Sequence, residues 1–117
     1  MKRSYVEYIR DIQEAMVNTC AFVEGLEYSD YVEDVKTNMA VERAITIIGE
    51  AARNVPDEIR KRFPDVPWAD MVGMRNFVTH AYFRVDRETV WKTITVVIPD
   101  LLPSINCCLN ELEQEQS

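Results

Sequence analysis

A chain of 117 residues with three glycines and 47% apolar residues is long enough for one ordinary hydrophobic core and needs no disulfide or metal to hold it. Its net charge of −7 argues against indiscriminate nucleic-acid binding, where cationic contacts to phosphate dominate affinity. Three cysteines, Cys20, Cys107 and Cys108, are an odd set without zinc-ligand spacing, so reduced packing residues are expected rather than a disulfide framework or metal knot.

The stretches between prolines are rich in Glu, Ala, Met, Ile and Arg, which favours helices over strands. Ser4-Tyr5-Val6-Glu7 reads as a capping box. After it, Ile9, Ile12, Met16, Cys20 and Val23 recur at three- and four-residue steps, predicting a first helix that ends at Gly25. Ser29 or Asp30 is suited to cap a second, longer helix with an inner face of Val32, Val35, Met39, Ile45, Ile48 and Ala52, stopped by Asn54 and Pro56. Gly49 and the alanines beside it predict a close approach to another helix, within the chain or across a subunit interface.

Residues 56–64, bounded by two prolines, have room for a short helical turn with a basic exposed side. Pro67 suits the first turn of a third helix, with Trp68, Met71, Val72 and Met74 in the core. Asp86 is the expected cap of a fourth helix burying Val90, Trp91, Ile94, Val97 and Ile98. Pro99 and Pro103 are expected to kink or break it ahead of a frayed polar tail, Glu111 to Ser117. The pattern predicts an all-α antiparallel bundle of four to five helices in one domain, residues 1–117, with leftover apolar surface suited to a two-fold homodimer. No run of eighteen apolar residues and no signal-peptide core is present in the sequence, so a soluble, cytoplasmic protein is expected.

Charge is unevenly spread. Between Arg53 and Lys92 lie eight basic and six acidic residues, whereas the rest of the chain carries five basic and fourteen acidic ones. A locally positive zone of this kind admits RNA while acidic surfaces elsewhere suit a basic partner. Inside it lies the only histidine, His80, in the run Arg75-Asn76-Phe77-Val78-Thr79-His80-Ala81-Tyr82. Imidazole both takes and gives a proton near neutral pH, and a guanidinium neutralises charge growing on phosphoryl oxygens, so the pair suits phosphate-ester chemistry without a metal or cofactor. On a regular helix Arg75 and Tyr82 lie about 20° apart but Arg75 and His80 about 140° apart. Convergence therefore needs a loosened helix end or a second chain. Asn76, four residues before His80, shares its side and is placed to orient the ring. Glu50, midway along an otherwise apolar face, has Arg43, Arg53 and the motif as candidate partners.

The arrangement Arg75-Asn76-x-x-x-His80-x-Tyr82 resembles the R-x4-H-x-Y signature of the HepT-like branch of HEPN domains, small all-α bacterial and archaeal proteins. Arg43 through Arg53, Trp68, and the Val85-Asp86 and Val90-Trp91 pairs are also similar to that family, so the resemblance covers nearly the whole chain. It implies a metal-independent endoribonuclease, the toxin of a type VII toxin–antitoxin pair, with Arg75 and His80 catalytic, Asn76 supporting and Tyr82 receiving AMP. The implied partner is MntA, a minimal nucleotidyltransferase antitoxin. The alternative is a non-catalytic helical module that binds and regulates such a nucleotidyltransferase. A metal enzyme is a poorer third choice, because one histidine and scattered carboxylates supply no Glu-x-x-His pair of the sort used in di-iron bundles.

Overall fold

A computed structural model describes residues 4–79 and 87–116, the side chains of residues 77–79 excepted, and all regular structure among them is helical. The elements are α1 (Tyr5–Val23), α2 (Tyr28–Glu33), α3 (Val35–Arg53), α4 (Asp57–Arg62), α5 (Trp68–Thr79), α6 (Arg87–Lys92), a π-helical turn (Thr93–Val97) and α7 (Ile98–Gln116). α1 packs against both α3 and α7, and α3 packs on its other side against α5. Arg10 near the start of α1 pairs with Glu113 near the end of α7 at 2.9 Å, so these two helices run antiparallel.

α1 follows the sequence pattern. The Ser4 hydroxyl accepts a hydrogen bond from the Val6 amide at 3.2 Å, satisfying one of the unpaired N–H groups of a helix start. Ile9, Ile12 and Met16 are fully buried. Gly25 turns the chain out of the helix at φ 77°, a left-handed conformation that costs other residues a Cβ clash.

The expected long second helix is instead two. Glu27, not Ser29 or Asp30, is the N-cap of α2, and its amide donates to the Asp30 carboxylate at 3.1 Å. The chain then breaks at Asp34, whose carboxylate accepts from the Thr37 amide at 3.0 Å and so restarts the helix as α3. Short polar side chains bond the backbone locally and compete with helix continuation in this way. The break aims α2 at α6, where Tyr28 and Tyr31 meet the Trp91 ring at centroid distances of 6.0 and 5.1 Å. It also leaves Val35 and Met39, expected inside, at 70% and 65% exposure. The buried face of α3 begins at Val41 and runs through Ala44, Ile45, Ile48, Gly49 and Ala52.

α4 is the short turn expected between the prolines, but its arginines are structural. Arg60 donates to the Ala52 and Val55 carbonyls at 2.7 and 3.1 Å, satisfying the C-terminal end of α3. Trp68 opens α5 with its indole N–H donating to the Phe63 carbonyl at 3.0 Å, and Met71 and Met74 enter the core as expected.

Of the kink or break expected at Pro99 and Pro103, the break does not occur: Arg87–Gln116 is one continuous helix. Proline removes a donor and its ring crowds the carbonyl four residues back. The π turn immediately before Pro99 supplies a wider backbone path, the usual way a helix absorbs such a misfit. Within it the Thr93 and Thr95 hydroxyls donate to the Thr89 and Trp91 carbonyls at 2.8 and 2.7 Å. The shift of register leaves Val97 exposed rather than buried, while Val90, Ile94 and Ile98 are in the core. This helix is long and apolar enough to cross a membrane, but its apolar residues Ile98, Ile105, Cys108 and Leu112 are buried within the bundle. Nor is the tail frayed. Helix continues to Gln116, anchored by fully buried Leu112 and by pairs of Glu113 with Arg10 and Glu115 with Arg62. The expected Asp86 cap lies outside the described residues.

Candidate active site

Arg75 leaves α5 where that helix packs tightly against α3. A Cβ built on Gly49 would stand 2.7 Å from the Arg75 Cβ, 3.0 Å from its backbone nitrogen and 3.3 Å from its Cα. Such distances lie inside van der Waals contact, so only a glycine lets the two helices approach this closely. The close approach predicted for Gly49 is therefore found inside one chain, and its partner is a motif residue. With Met71 and Met74 turned into the core on the same helix, Arg75 is left half-buried and Asn76 exposed.

The next residue of α3 meets the side chain that emerges. Glu50 Oε1 lies 3.6 Å from Arg75 Nε, both side chains being partly exposed at 51% and 40%. Of the three partners open to Glu50 from sequence, the motif arginine is thus one that it meets. Glu50 also lies on the rim of a cleft of ≈ 400 Å³ between α1 and α3, whose other polar lining includes Tyr8, Asp11, Glu14 and Arg43. Three carboxylates against one guanidinium make this cleft electronegative.

His80 and Tyr82 lie outside the described residues, as does their convergence with Arg75. The positive zone expected around them is partly engaged elsewhere. Arg60 holds the end of α3, and Arg62 is held by Glu115 and Glu111 on α7, which raises its pKa through the Glu115 hydrogen bond and the nearby carboxylates. Arg53, Lys61 and Lys92 remain as exposed cations.

Of the cysteines, Cys108 is a buried packing residue, Cys20 is partly buried and Cys107 is exposed. No disulfide joins them, and burial pushes the Cys108 thiol up to about 12 and raises that of Cys20, which suppresses the reactive thiolate. Among the described residues, no group of three or more His, Cys, Asp or Glu side chains is gathered as a metal site would require. Sequence reasoning named a close approach at Gly49 and the motif among the candidate partners of Glu50; what it left open is that both contacts fall on Arg75.

Comparison with known proteins fits this arrangement. The family model described as ribonuclease HepT-like matches residues 7–107. A protein of Thermococcus cleftensis named "Probable ribonuclease HepT" is 43% identical over 101 residues, covering 86% of this chain and 92% of its own. "Putative RNase TTE0752" of Caldanaerobacter subterraneus subsp. tengcongensis is 37% identical over 85% of this chain and 86% of its own. "Putative RNase MJ1380" of Methanocaldococcus jannaschii is 35% identical over 86% of this chain and 92% of its own. No solved structure matches the chain. A match across most of the sequence, together with the all-α arrangement of the described residues, means that the chain belongs to the ribonuclease HepT-like family.

Proposed function

We propose that this chain is an endoribonuclease that cuts RNA without a bound metal, using Arg75 and His80 as its catalytic pair and Asn76 as a polar support. The observation that carries the reading is the family match over residues 7–107, which takes in the whole Arg75–Tyr82 run. Arg75, whose side chain is partly exposed, suits a cation that meets a phosphodiester from solution. RNA supplies its own nucleophile. The 2′-oxygen attacks the adjacent phosphorus while His80 takes the hydroxyl proton, Arg75 stabilises the charge on the non-bridging oxygens, and the 5′-oxygen leaves with a proton returned by the imidazolium. The products are a 2′,3′-cyclic phosphate and a 5′-hydroxyl.

Neutralisation by a partner follows the same chemistry. Tyr82 receives AMP from an MntA-like nucleotidyltransferase antitoxin of a type VII toxin–antitoxin pair: the phenol oxygen attacks the α-phosphorus of ATP, pyrophosphate leaves, and the phenolic proton passes to solvent or a base. The added phosphate and nucleoside put negative charge and bulk two residues from His80, which repels an RNA phosphate. The enzyme works in the cytoplasm as a two-fold homodimer, and the exposed Val35, Met39, Val96 and Val97 supply apolar surface for a second copy.

The test is RNA cleavage in EDTA by the wild-type chain and by folded His80→Ala and Arg75→Ala variants, with end analysis of the products. Cleavage that persists in EDTA and is lost in both variants supports the reading. Equal RNA loss in all three would refute it and leave the non-catalytic interaction module standing. For the regulation, intact mass after incubation with ATP and the nucleotidyltransferase should rise by whole AMP units in the wild type and not in Tyr82→Phe.

A further inference from the structure

We infer that the Gly49–Glu50 step of α3 is the device that positions Arg75 for phosphodiester cleavage, an inference that rests on the nuclease reading above. Two independent contacts carry it. The first acts on the backbone. With a would-be Cβ at residue 49 only 2.7 Å from Arg75 Cβ and 3.0 Å from its backbone nitrogen, the root of the arginine is set by direct contact of two helices. There is no intervening side chain whose rotamers could blur it. The second acts on the head group. Glu50 Oε1 approaches Arg75 at Nε, 3.6 Å away, so the carboxylate addresses the flank of the guanidinium rather than its terminus.

The exposure of the pair decides what it is for. At 40% and 51% exposed, an ion pair adds little to fold stability, because water screens it and two long side chains must be ordered. Its effect is on direction: an arginine side chain has several rotatable bonds, and a transition state is stabilised only by a donor already aimed at the place where charge develops. Glu50 also confines that cation to one side of an electronegative cleft that includes Asp11 and Glu14. Glu50 is thus a positioning residue acting through Arg75, and Gly49 sets the depth at which it can do so.

The experiment compares wild type with Glu50→Ala, Glu50→Gln and Gly49→Ala on one RNA substrate, measuring kcat and KM separately and the thermal midpoint of each protein. Glu50→Ala should lower kcat about tenfold or more with KM within about twofold and the midpoint unchanged, the signature of an interaction realised in the transition state. Glu50→Gln, which keeps the shape but removes the charge of a contact 3.6 Å long, too long for a hydrogen bond, should lose kcat to a similar degree. Gly49→Ala should lower kcat because α5 must move. Should Gly49→Ala fail to fold, the two Glu50 variants still decide the matter. An active wild type with kcat unchanged in Glu50→Ala overturns the inference alone. So does a rise in kcat/KM in that variant, which would make Glu50 a competitor of RNA for the arginine. A wild-type chain that cuts no RNA sinks the nuclease reading and this inference with it.

Discussion

Two helix contacts in this molecule solve opposite problems. Where α1 meets α7, branched side chains fill the space, Ile9 and Ile12 from one helix and Ile105 and Leu112 from the other, all fully buried, with the Arg10–Glu113 pair at the rim. Where α3 meets α5, nothing fills the space at Gly49, and the backbone of Arg75 rests against the neighbouring helix. A layer of side chains contributes stability in proportion to the apolar area it covers and accommodates small displacements by changing rotamers. A backbone contact covers little area but leaves no slack. The side-chain layer between α1 and α7 adds buried apolar area, and the contact at Gly49 fixes the distance between α3 and α5.

Variants that separate these roles sharpen the comparison. The largest stability effect is expected from the α1–α7 layer: Leu112→Ala should cost about 2–5 kcal/mol in urea unfolding while the remaining folded protein keeps its RNA cleavage per molecule. A loss below about 0.5 kcal/mol would mean that the end of α7 is frayed after all. Gly49→Ala should cost less, about 1–3 kcal/mol, because it overpacks rather than empties the core. Its activity should fall further than Leu112→Ala at equal folded fraction, and the reverse ranking would break the division drawn here.

Local devices come next. Asp34→Ala removes the cap that restarts the chain as α3 and should lower the thermal midpoint by roughly 3–6 °C in calorimetry. Hydrogen bonds from the Thr37 amide and hydroxyl hold the Asp34 carboxyl below its ordinary pKa. A carboxyl lowered on folding contributes stability above its unfolded pKa and loses it as pH falls through the lowered value. Acidification below about pH 4 should therefore destabilise the wild type more steeply than Asp34→Asn. The smallest effect belongs to the solvent-facing Glu115, lowered by its bond to Arg62: Glu115→Gln should leave the midpoint at neutral pH unchanged within error.

Much of this was legible in the chain. The all-α class, the Ser4 cap, the Ile9–Val23 stripe, the Gly25 stop and the short turn between Pro56 and Pro64 each depend on residues within a few positions of one another. So does the Arg75–Tyr82 run, whose spacing carried the family resemblance. The misreadings have physical causes. Val35 and Met39 fit a helical stripe that Asp34 interrupts with a local hydrogen bond. Pro99 and Pro103 carry a helix-breaking signal that a π turn accommodates, and the polar C-terminal residues conceal Leu112 and two interhelical pairs.

By itself, the sequence determined which segments are helical, where several of them start and stop, and which side chains are equipped to handle a phosphate ester, because propensity, capping and periodicity act along the chain. Only the tertiary structure decided that Gly49 faces Arg75 rather than a second subunit, and that Glu50 stands at Arg75's Nε. Those facts concern residues more than twenty positions apart in the chain, and their distance is fixed by how the whole bundle packs, which no local preference encodes.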